Sequence, residues 1–389
     1  MPKDLPAEPE RAILVGLTRG PRRRAARPTG SDANPGPVDT DSATTEPDLA
    51  ELELLTGTAG GRVVGRLRQR RDAVHSGSFL SRGKLEQLKE LVENQQADLV
   101  VFDDELSPAQ ARNLSEALDR KVIDRTELIL DIFARRARSR EAQVQVELAQ
   151  LEYLLPRLTR MWTHLSRLGG GIGTRGPGET QLEVDRRRVR HRIGVLRRQL
   201  EAVDREREVQ GRRRRRLCRV SLVGYTNAGK STLFNALTRA GVLEEDRLFA
   251  TLDTTTRRLA LPSGGVVLLS DTVGFIRKLP HHLVASFRAT LREVREADLL
   301  IHVIDAAQPR FREQMAVVER AVEGLLEGRP TSWLLVLNKA DRLDEEQAIA
   351  LRGEFLQAAM LSALDRSQVS QFRGRIAEET RERGPGHAT

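Results

Sequence analysis

One motif constrains this chain more than any other feature of its sequence. The apolar strand Val220–Val223 leads directly into Gly224-Tyr-Thr-Asn-Ala-Gly229-Lys230-Ser231, and an amphipathic helix is predicted to follow. Strand, glycine-rich loop and helix in this order form the P-loop pattern, in which backbone N–H groups surround a phosphate. The pattern favours an α/β fold that carries a nucleotide-phosphate site at the end of a strand.

The spacing within the motif assigns a task to each position. Gly224 and Gly229 let the backbone curl around the anion, and the helix presents its positive N-terminus to it. Lys230 is predicted to reach the β- and γ-phosphates, and the Ser231 hydroxyl to coordinate Mg²⁺. The predicted phosphate-binding residues are Gly224, Tyr225, Thr226, Asn227, Ala228, Gly229, Lys230, Ser231 and Thr232.

A second motif distinguishes guanine from adenine. Asn338-Lys339-Ala340-Asp341 follows the apolar strand Trp333–Leu337. The Asp341 carboxylate can accept from N1–H and the N2 amine of guanine, a donor pair that adenine lacks. Asn338 can meet the opposite edge of the base, and the Lys339 stem can lie over it. The motif therefore predicts GTP as the nucleotide.

Two switch elements lie between these motifs. Gly264 and Gly265 are predicted to turn a hairpin that leads to Asp271-Thr272-Val273-Gly274, where Asp271 suits an outer-shell Mg²⁺ role and the Gly274 N–H senses the γ-phosphate. Residues 249–253, which we call switch I, supply a second Mg²⁺ hydroxyl from Thr251, although Thr254, Thr255 and Thr256 are adjacent alternatives. The predicted switch I contacts are Phe249, Ala250, Thr251, Leu252 and Asp253. Lys230, Thr251 and Gly274 are the predicted catalytic residues, with Ser231 and Thr251 as the metal ligands.

The position after Gly274 departs from many GTPases. These place a water-orienting Gln there, whereas this chain has Phe275, which can neither orient water nor carry a proton. We therefore expect slow intrinsic hydrolysis that a partner accelerates. His281 and His282 lie nearby, but adjacent imidazoles on a polar segment are more often solvated than catalytic.

Composition divides the rest of the chain. We expect a strand segment at 1–17, a disordered low-complexity insertion at 18–46, a small α/β subdomain at 47–140, a helical hairpin with a basic linker at 141–216, and the P-loop domain at 217–389. Within the subdomain, Ser107-Pro108 is a good start for a helix.

The hairpin prediction comes from heptad spacing. Apolar residues repeat at intervals of three and four from Val144 to Leu165, with Pro156 interrupting the helix, and again from Leu182 to Val203. The intervening segment 169–178 is too rich in glycine to be helical. We expect two antiparallel helices with a flexible tip that either contacts RNA or only spaces two domains.

Positive charge is concentrated in one segment. The chain has 64 Lys and Arg against 55 Asp and Glu, a net charge of +9, and residues 181–216 alone carry 14 Arg against six acidic residues. Such a stripe favours binding to a polyanion such as RNA, or it is a solvated helix face. The candidate RNA contacts are Arg175, Arg212, Arg213, Arg214, Arg215 and Arg216.

Several classes are disfavoured by composition. The single cysteine, Cys218, excludes an internal disulfide framework. The sequence has neither an apolar run of bilayer length nor a recognisable signal peptide. We expect a cytoplasmic monomer.

The motifs GYTNAGKST, FATLD, DTVG and NKAD resemble those of translation-factor-related GTPases of the TRAFAC class. The segments DELSPAQARNL, DRTELILDIFARRARSREAQVQVELAQLEYLLPRL and GGGIGTRGPGETQLEVDRR more narrowly resemble the HflX family. The resemblance covers about residues 47–345 and implies a GTPase that binds the large ribosomal subunit and its rRNA. It also implies the splitting or rescue of stalled or stress-inactivated ribosomes, and a guanine-supporting role for Ser362 and Ala363.

Two other functions stay open at the sequence level. One is a GTPase that acts on RNA away from the ribosome, in tRNA modification or RNA remodelling. The other is a non-catalytic RNA-binding module in which the nucleotide only stabilises the fold.

Overall fold

The computed structural model describes residues 9–19, 49–71, 77, 79–158, 177–214, 217–238, 248–249, 251–278 and 292–381. The chain forms two compact units. The first comprises residues 1–131 and 156–182, and the second comprises residues 132–155 and 183–389. The predicted insertion at 18–46 lies outside the described residues except for residues 18 and 19, which end a strand.

The first unit is built on a parallel four-stranded sheet. Its strands stand in the order β2-β1-β3-β4, and all three neighbouring pairs are parallel. The core is formed by apolar side chains of β1 and β3 packed against the helices, because alternating strands and helices bury both faces of such a sheet. The elements are β1 (Arg11–Arg19), α1 (Ala50–Thr58), β2 (Arg62–Arg71), α2 (Arg82–Asn94), β3 (Leu99–Phe102), α3 (Pro108–Leu118), β4 (Lys121–Asp124) and α4 (Arg125–Arg136), which crosses into the second unit.

The predicted start of α3 is confirmed. Ser107 accepts a hydrogen bond from the Gln110 backbone N–H, and the Gln110 side chain accepts from the Ser107 N–H, which completes a capping box. By contrast, the sequence pattern does not predict β4 or α4. The four residues of β4 are too few to produce a period, and its first two are not buried.

Outside the P-loop domain, the second unit includes α5 (Arg140–Leu154) and α6 (Pro177–Arg214) from residue 183 onward. They share an apolar cluster, and ion pairs join Arg192 to Glu147 and Arg197 to Glu152 at 2.6 and 2.7 Å. The cluster consists of the predicted heptad residues Val144, Leu148, Leu151, Leu155, Val189, Ile193, Leu196 and Leu200.

The helix ends test two sequence predictions. The interruption at Pro156 is confirmed, since α5 ends at Leu154. The non-helical prediction for 169–178 is wrong at its end, because α6 already begins at Pro177, a residue preorganised for the first helical turn. Residues 169–176 lie outside the described residues.

The P-loop domain contains a six-stranded sheet in the order β10-β9-β8-β5-β7-β6. Only the β6–β7 pair is antiparallel among the described pairs, and its hairpin turns at Gly264, as predicted. All seven residues of β8 are buried, consistent with its central place in the sheet. The elements are β5 (Arg219–Gly224), α7 (Lys230–Thr238), β6 (Thr255–Ala260), β7 (Val266–Asp271), α8 (Arg292–Arg295), β8 (Leu299–Asp305), α9 (Phe311–Leu326), β9 (Ser332–Asn338), α10 (Glu345–Glu354), β10 (Ala359–Met360) and α11 (Arg366–Arg381).

This topology places the candidate site. In the sheet, β5 lies between β7 on one side and β8 on the other. The parallel strands β5, β7, β8 and β9 all end at the same sheet edge. Ligands bind at such carboxyl edges in open α/β sheets.

The predicted α/β class is confirmed. Within the described residues, no helix has the length and apolar character that a bilayer crossing requires.

Candidate nucleotide-binding site

The P-loop curves back from the end of β5 to the start of α7. Gly229 has φ of 89°, and a Cβ there would lie 2.3 Å from the Asn338 side-chain nitrogen, so the loop requires glycine at this point. Lys230 is buried, and its Nζ donates to the carbonyls of Gly224 and Tyr225 at 3.2 and 2.9 Å. These bonds hold the ammonium group inside the loop.

Burial changes the acid–base behaviour of that ammonium group. Desolvation lowers the pKa of Lys230 to about 8, although the nearby Asp271 carboxylate favours the charged form. A bound polyphosphate supplies negative charge at this position and restores the preference for the protonated lysine. Lys230 is therefore prepared for an anion.

The predicted metal-site residues converge. The Ser231 Oγ lies 2.7 Å from the Thr251 Oγ1 and donates to the Asp271 Oδ2 at 2.7 Å. Asp271 is buried, and its Oδ1 has no hydrogen-bond partner among the described residues. Burial raises the pKa of Asp271, against the opposing effects of Lys230 and of hydrogen bonds from Ser231 and Thr251.

This donor set fits Mg²⁺. Mg²⁺ prefers hard oxygen ligands and keeps several of its waters, so two hydroxyls with a carboxylate behind them are suitable chemistry. The orphaned Asp271 Oδ1 gives an independent reason for the fit, because a buried carboxylate oxygen needs a donor or a cation. Thr251, rather than the adjacent threonines 254–256, makes the contact with Ser231.

The Asp271–Gly274 segment lies directly against the P-loop. Thr272 is buried and its hydroxyl donates to the Leu222 carbonyl at 2.6 Å, while Val273 is half-buried. A Cβ on Gly274 would lie 2.7 Å from the Thr226 Cα and 3.1 Å from the Lys230 Nζ. Only glycine fits this approach, which leaves the Gly274 backbone next to the Lys230 ammonium group.

Phe275 continues this contact. Its N–H donates to the Gly224 carbonyl at 3.1 Å, and its carbonyl accepts from the Thr226 N–H at 2.7 Å. The two bonds form a bridge of parallel type between Tyr225 and Phe275, and the Phe275 ring is buried. The Tyr225 hydroxyl accepts from the Arg277 N–H at 2.8 Å, which holds the segment two residues further on.

Switch I is held at both sides of Thr251. Phe249 has φ of 57°, its N–H donates to the Thr226 hydroxyl at 3.1 Å, and its ring packs edge-on against Phe133 with centroids 4.7 Å apart. Leu252 is buried. The Asp253 carboxylate accepts hydrogen bonds from Arg138 and Ser139. Ala250 lies outside the described residues.

The predicted guanine end is joined to the P-loop through hydrogen bonds of Asn338, which are buried, and of Lys339. The Asn338 amide donates to the Ala228 carbonyl at 2.9 Å and accepts from the Ala363 N–H at 3.0 Å. The Lys339 ammonium group donates to the Asn227 carbonyl at 2.9 Å. The structure thus brings the predicted Ser362-Ala363 pair to Asn338, where local sequence gives only a weak signal.

Asp341 and Ser362 lie at the same cavity. With Ala340, they line a cavity of about 640 Å³ next to α10 and α11. Asp341 is exposed, whereas Ser362 and Ala363 are buried. An accessible carboxylate beside a buried serine suits recognition of a base edge.

Asp305 is a site residue that sequence reasoning missed. It ends β8 and pairs with Lys339, with 2.7 Å between Oδ2 and Nζ, and both side chains are largely buried. The available signal is its place, since an acidic residue that closes a mainly apolar strand lies at the same sheet edge as the P-loop. Thr226 and Ser139, which contact switch I, likewise have no local signal for this role.

Several candidate residues are not placed by the structure. Arg175, Arg215 and Arg216 lie outside the described residues, as do His281 and His282. Arg212, Arg213 and Arg214 belong to α6. Thr232 follows Ser231 in the first turn of α7 and is half-buried.

Comparison with known proteins gives the family. Three family models match successive parts of the chain: the GTP-binding GTPase N-terminal region at 46–134, the GTP-binding GTPase middle region at 136–215, and the 50S ribosome-binding GTPase at 219–339. GTPase HflX of Caldanaerobacter subterraneus is 49% identical over 368 residues, which cover 94% of this chain and 80% of that protein. The chain belongs to the HflX family of GTPases.

A second HflX protein is similar to a shorter part of this chain. GTPase HflX of Alkalihalophilus pseudofirmus is 56% identical over 299 residues, which cover 76% of this chain and 70% of that protein. A crystal structure of a GTP-binding protein from Sulfolobus solfataricus in complex with GDP aligns over 96% of this chain and 99% of that chain, with 22% identity and a TM-score of 0.45. The assignment rests on the sequence relatives alone. The resemblance to the HflX family is confirmed, and this protein is a GTPase.

Proposed function

We propose that this protein couples Mg²⁺-dependent GTP hydrolysis to binding of the large ribosomal subunit, and that it splits or rescues stalled or stress-inactivated ribosomes in the cytoplasm. The observation that carries the nucleotide part is the meeting of Ser231, Thr251 and Asp271 beside Lys230. The match of residues 219–339 to the 50S ribosome-binding GTPase model supports the ribosomal part.

In this proposal each motif keeps one task. Asp341 accepts from the guanine edge, and Asn338 holds the P-loop and the Ser362-Ala363 segment around the base. Lys230 and the loop N–H groups bind the phosphates, and the Gly274 N–H contacts the γ-phosphate. Ser231 and Thr251 hold Mg²⁺, with Asp271 behind them. When bound, Mg²⁺ neutralises charge on the β- and γ-phosphates.

The same geometry supports slow hydrolysis by the isolated protein. The position that many GTPases use to orient water is occupied by the buried Phe275 ring, which has no group for a proton. We expect purified protein to turn over GTP more slowly than about 1 s⁻¹, near the low end of typical enzymes. Intrinsic turnover at or above that rate contradicts the proposal.

The ribosomal partner is expected to use the cationic segment. Neutralising Arg212–Arg216 should weaken binding and flatten its salt dependence, because each phosphate contact releases counterions. The matched control removes five exposed arginines from the P-loop domain: Arg258, Arg320, Arg352, Arg366 and Arg381. Equal losses from both sets mean that net charge, and not this segment, governs binding.

Sedimentation with ribosomal subunits tests the function itself. We expect the protein to co-sediment with large subunits in the presence of a non-hydrolysable GTP analogue, and Lys230→Ala to lose this binding together with hydrolysis. Absence from the large-subunit peak favours the alternative, a GTPase that acts on RNA away from the ribosome. Retained ribosome function in Lys230→Ala makes catalysis dispensable and supports a non-catalytic module.

A further inference from the structure

Switch I has contacts that a P-loop domain alone does not provide. Within the second unit, residues 132–155 belong to the same compact body as the P-loop domain. The turn between α4 and α5 lies at Asp253, only two residues beyond Thr251. A residue outside the P-loop domain can therefore influence where Thr251 lies.

The contact consists of three donors on one carboxylate. The Arg138 and Ser139 N–H groups donate to the Asp253 Oδ2 at 3.1 and 3.2 Å, and the Ser139 hydroxyl donates to the Oδ1. Hydrogen bonds to a carboxylate are stronger than bonds between neutral groups. Two of the donors are backbone groups, so their positions follow the turn itself and not the rotamer of a side chain.

Ser139 has two functions at once. It is the N-cap of α5, and its hydroxyl accepts from the Ala142 N–H at 3.1 Å while it donates to Asp253. One hydroxyl thus joins the first turn of α5 to switch I. Any displacement of Asp253 removes a partner from the atom that caps the helix.

A second contact fixes the other side of Thr251. The buried Phe249 ring meets Phe133 near the end of α4, and the Phe249 N–H donates to Thr226 of the P-loop. Thr251 lies between these two attachments, and its hydroxyl lies 2.7 Å from the Ser231 Oγ.

We propose that Ser139 is a positioning residue for the Mg²⁺–GTP site, which acts through Asp253 to hold Thr251 beside Ser231. By linkage, GTP bound with an ordered switch I stabilises the first turn of α5, and loss of the γ-phosphate weakens that hold. This inference rests on the role of Thr251 in the proposed function. It assigns the start of α5 as the place where nucleotide state reaches α5 and the α6 helix that packs on it.

Affinities for two nucleotides test the positioning role. We expect Ser139→Ala to raise the Kd of a fluorescent GMPPNP analogue by about 5-fold to 10-fold, the net loss expected for one hydrogen bond of ordinary strength, while the Kd for GDP changes less than about twofold. Asp253→Ala removes all three bonds and should weaken GMPPNP binding at least as much, and the double variant should bind GMPPNP no more weakly than Asp253→Ala alone. Ser139→Thr, which keeps the hydroxyl, should restore tight binding.

The matched control is Ser107→Ala. Ser107 caps α3 with the same hydroxyl-to-backbone bond but belongs to the first unit and makes its cap bond within α3. Both Ser→Ala variants lose a helix cap, so their thermal unfolding should shift similarly. Equal nucleotide effects in the two variants, or additive effects of Ser139→Ala and Asp253→Ala, overturn the positioning role.

Hydrogen exchange tests the reverse direction. The backbone amides of residues 137–143 should exchange more slowly with GMPPNP than with GDP, and Asp253→Ala should abolish the difference. Thr251→Ala separates the two proposals. If it weakens GMPPNP binding while Ser139→Ala does not, only the positioning role fails. If Thr251→Ala has no effect, the assigned metal ligand is wrong.

Discussion

The two ends of the candidate nucleotide site are built differently. At the guanine end, Asn338 makes buried hydrogen bonds to Ala228 of the P-loop and to Ala363, and Lys339 beside it makes a more exposed bond to Asn227. We call these contacts the base–phosphate network. At the other end, Asp253 is held by bonds that are open to solvent and that come from the turn before α5. The first set is centred on the buried Asn338 side chain, and the second lies at the surface.

This difference separates binding from sensing. Buried bonds between strand ends cannot break without exposing unpaired groups, which costs about 1–3 kcal/mol for each group. They are expected to persist with either nucleotide. Solvent-exposed bonds exchange with water at much lower cost, so switch I can change partners when the nucleotide changes.

Asn338→Ala tests the base–phosphate network most severely. The variant leaves the Ala228 carbonyl and the Ala363 N–H without partners, so we expect GDP and GMPPNP affinities to fall alike by roughly 100-fold. The free energy of unfolding should fall by about 3 kcal/mol. Fluorescent-nucleotide titration and urea unfolding measure the two effects, with exposed Asn94→Ala as control. A loss restricted to GMPPNP contradicts the division between the two ends.

Gly274→Ala tests the boundary between the two ends. The added methyl group meets the Thr226 backbone at 2.7 Å, and overpacking of this kind costs about 1–3 kcal/mol. Because it also displaces the N–H assigned to the γ-phosphate, GMPPNP affinity should fall by roughly 30-fold and GDP affinity much less. The same titration decides, and equal losses show that Gly274 is a packing position only.

Asp305→Asn perturbs the network more gently. The change keeps the side-chain volume but removes the charge that pairs with Lys339 at 2.7 Å. Loss of a charge-assisted bond should weaken GDP and GMPPNP binding equally, by about 10-fold. Exposed Asp341 provides the contrast, since Asp341→Asn should change the preference for guanine over other bases. A base-specificity change in Asp305→Asn would assign it a direct contact with the base.

The smallest expected effect is the uptake of a proton by Lys230 when nucleotide binds. In the folded protein, burial lowers the pKa of Lys230 from 10.5 to about 8, so the unfolded chain binds more protons between these values. The cost to stability of burying the Lys230 charge is therefore relieved as pH rises through this interval. Nucleotide binding reverses the shift, and at pH 9 it should take up at most about one proton, with almost none at pH 7.

Calorimetry in buffers of different ionisation enthalpy measures this uptake. Lys230→Met should abolish this proton uptake. Ser139→Ala should leave it unchanged, because the proton is taken up by the Lys230 ammonium group and not by switch I. Uptake that survives in Lys230→Met assigns the proton to another group.

The comparison also explains how far the sequence could be interpreted. The P-loop, the Asp271–Gly274 segment and the Asn338–Asp341 motif are predictable because their spacing is local and their chemistry is specific. The structure brings together the residues predicted on these motifs, including Thr251 and Ala363. Their roles in GTP binding stay predictions.

Contacts made across sequence distance could not be predicted in this way. Ser139 and Asp253 are more than a hundred residues apart, and Ser139 looks like an ordinary helix cap. The pairing of Asp305 with Lys339 likewise joins residues that are far apart in the sequence. The strand β4 was missed because four residues of mixed burial carry no period.

The bridge between Tyr225 and Phe275 has a consequence for how such a chain can evolve. A glutamine at position 275 would place a side-chain amide where a buried ring packs. The backbone at this position is hydrogen-bonded to Gly224 and Thr226 of the P-loop. Burying an unpaired amide costs about 1–3 kcal/mol by mutational measures. A single substitution toward faster turnover therefore also loosens the loop that holds the phosphates. Selection for speed and selection for a folded site oppose each other at this residue, and the hydrophobic side chain is the stable outcome.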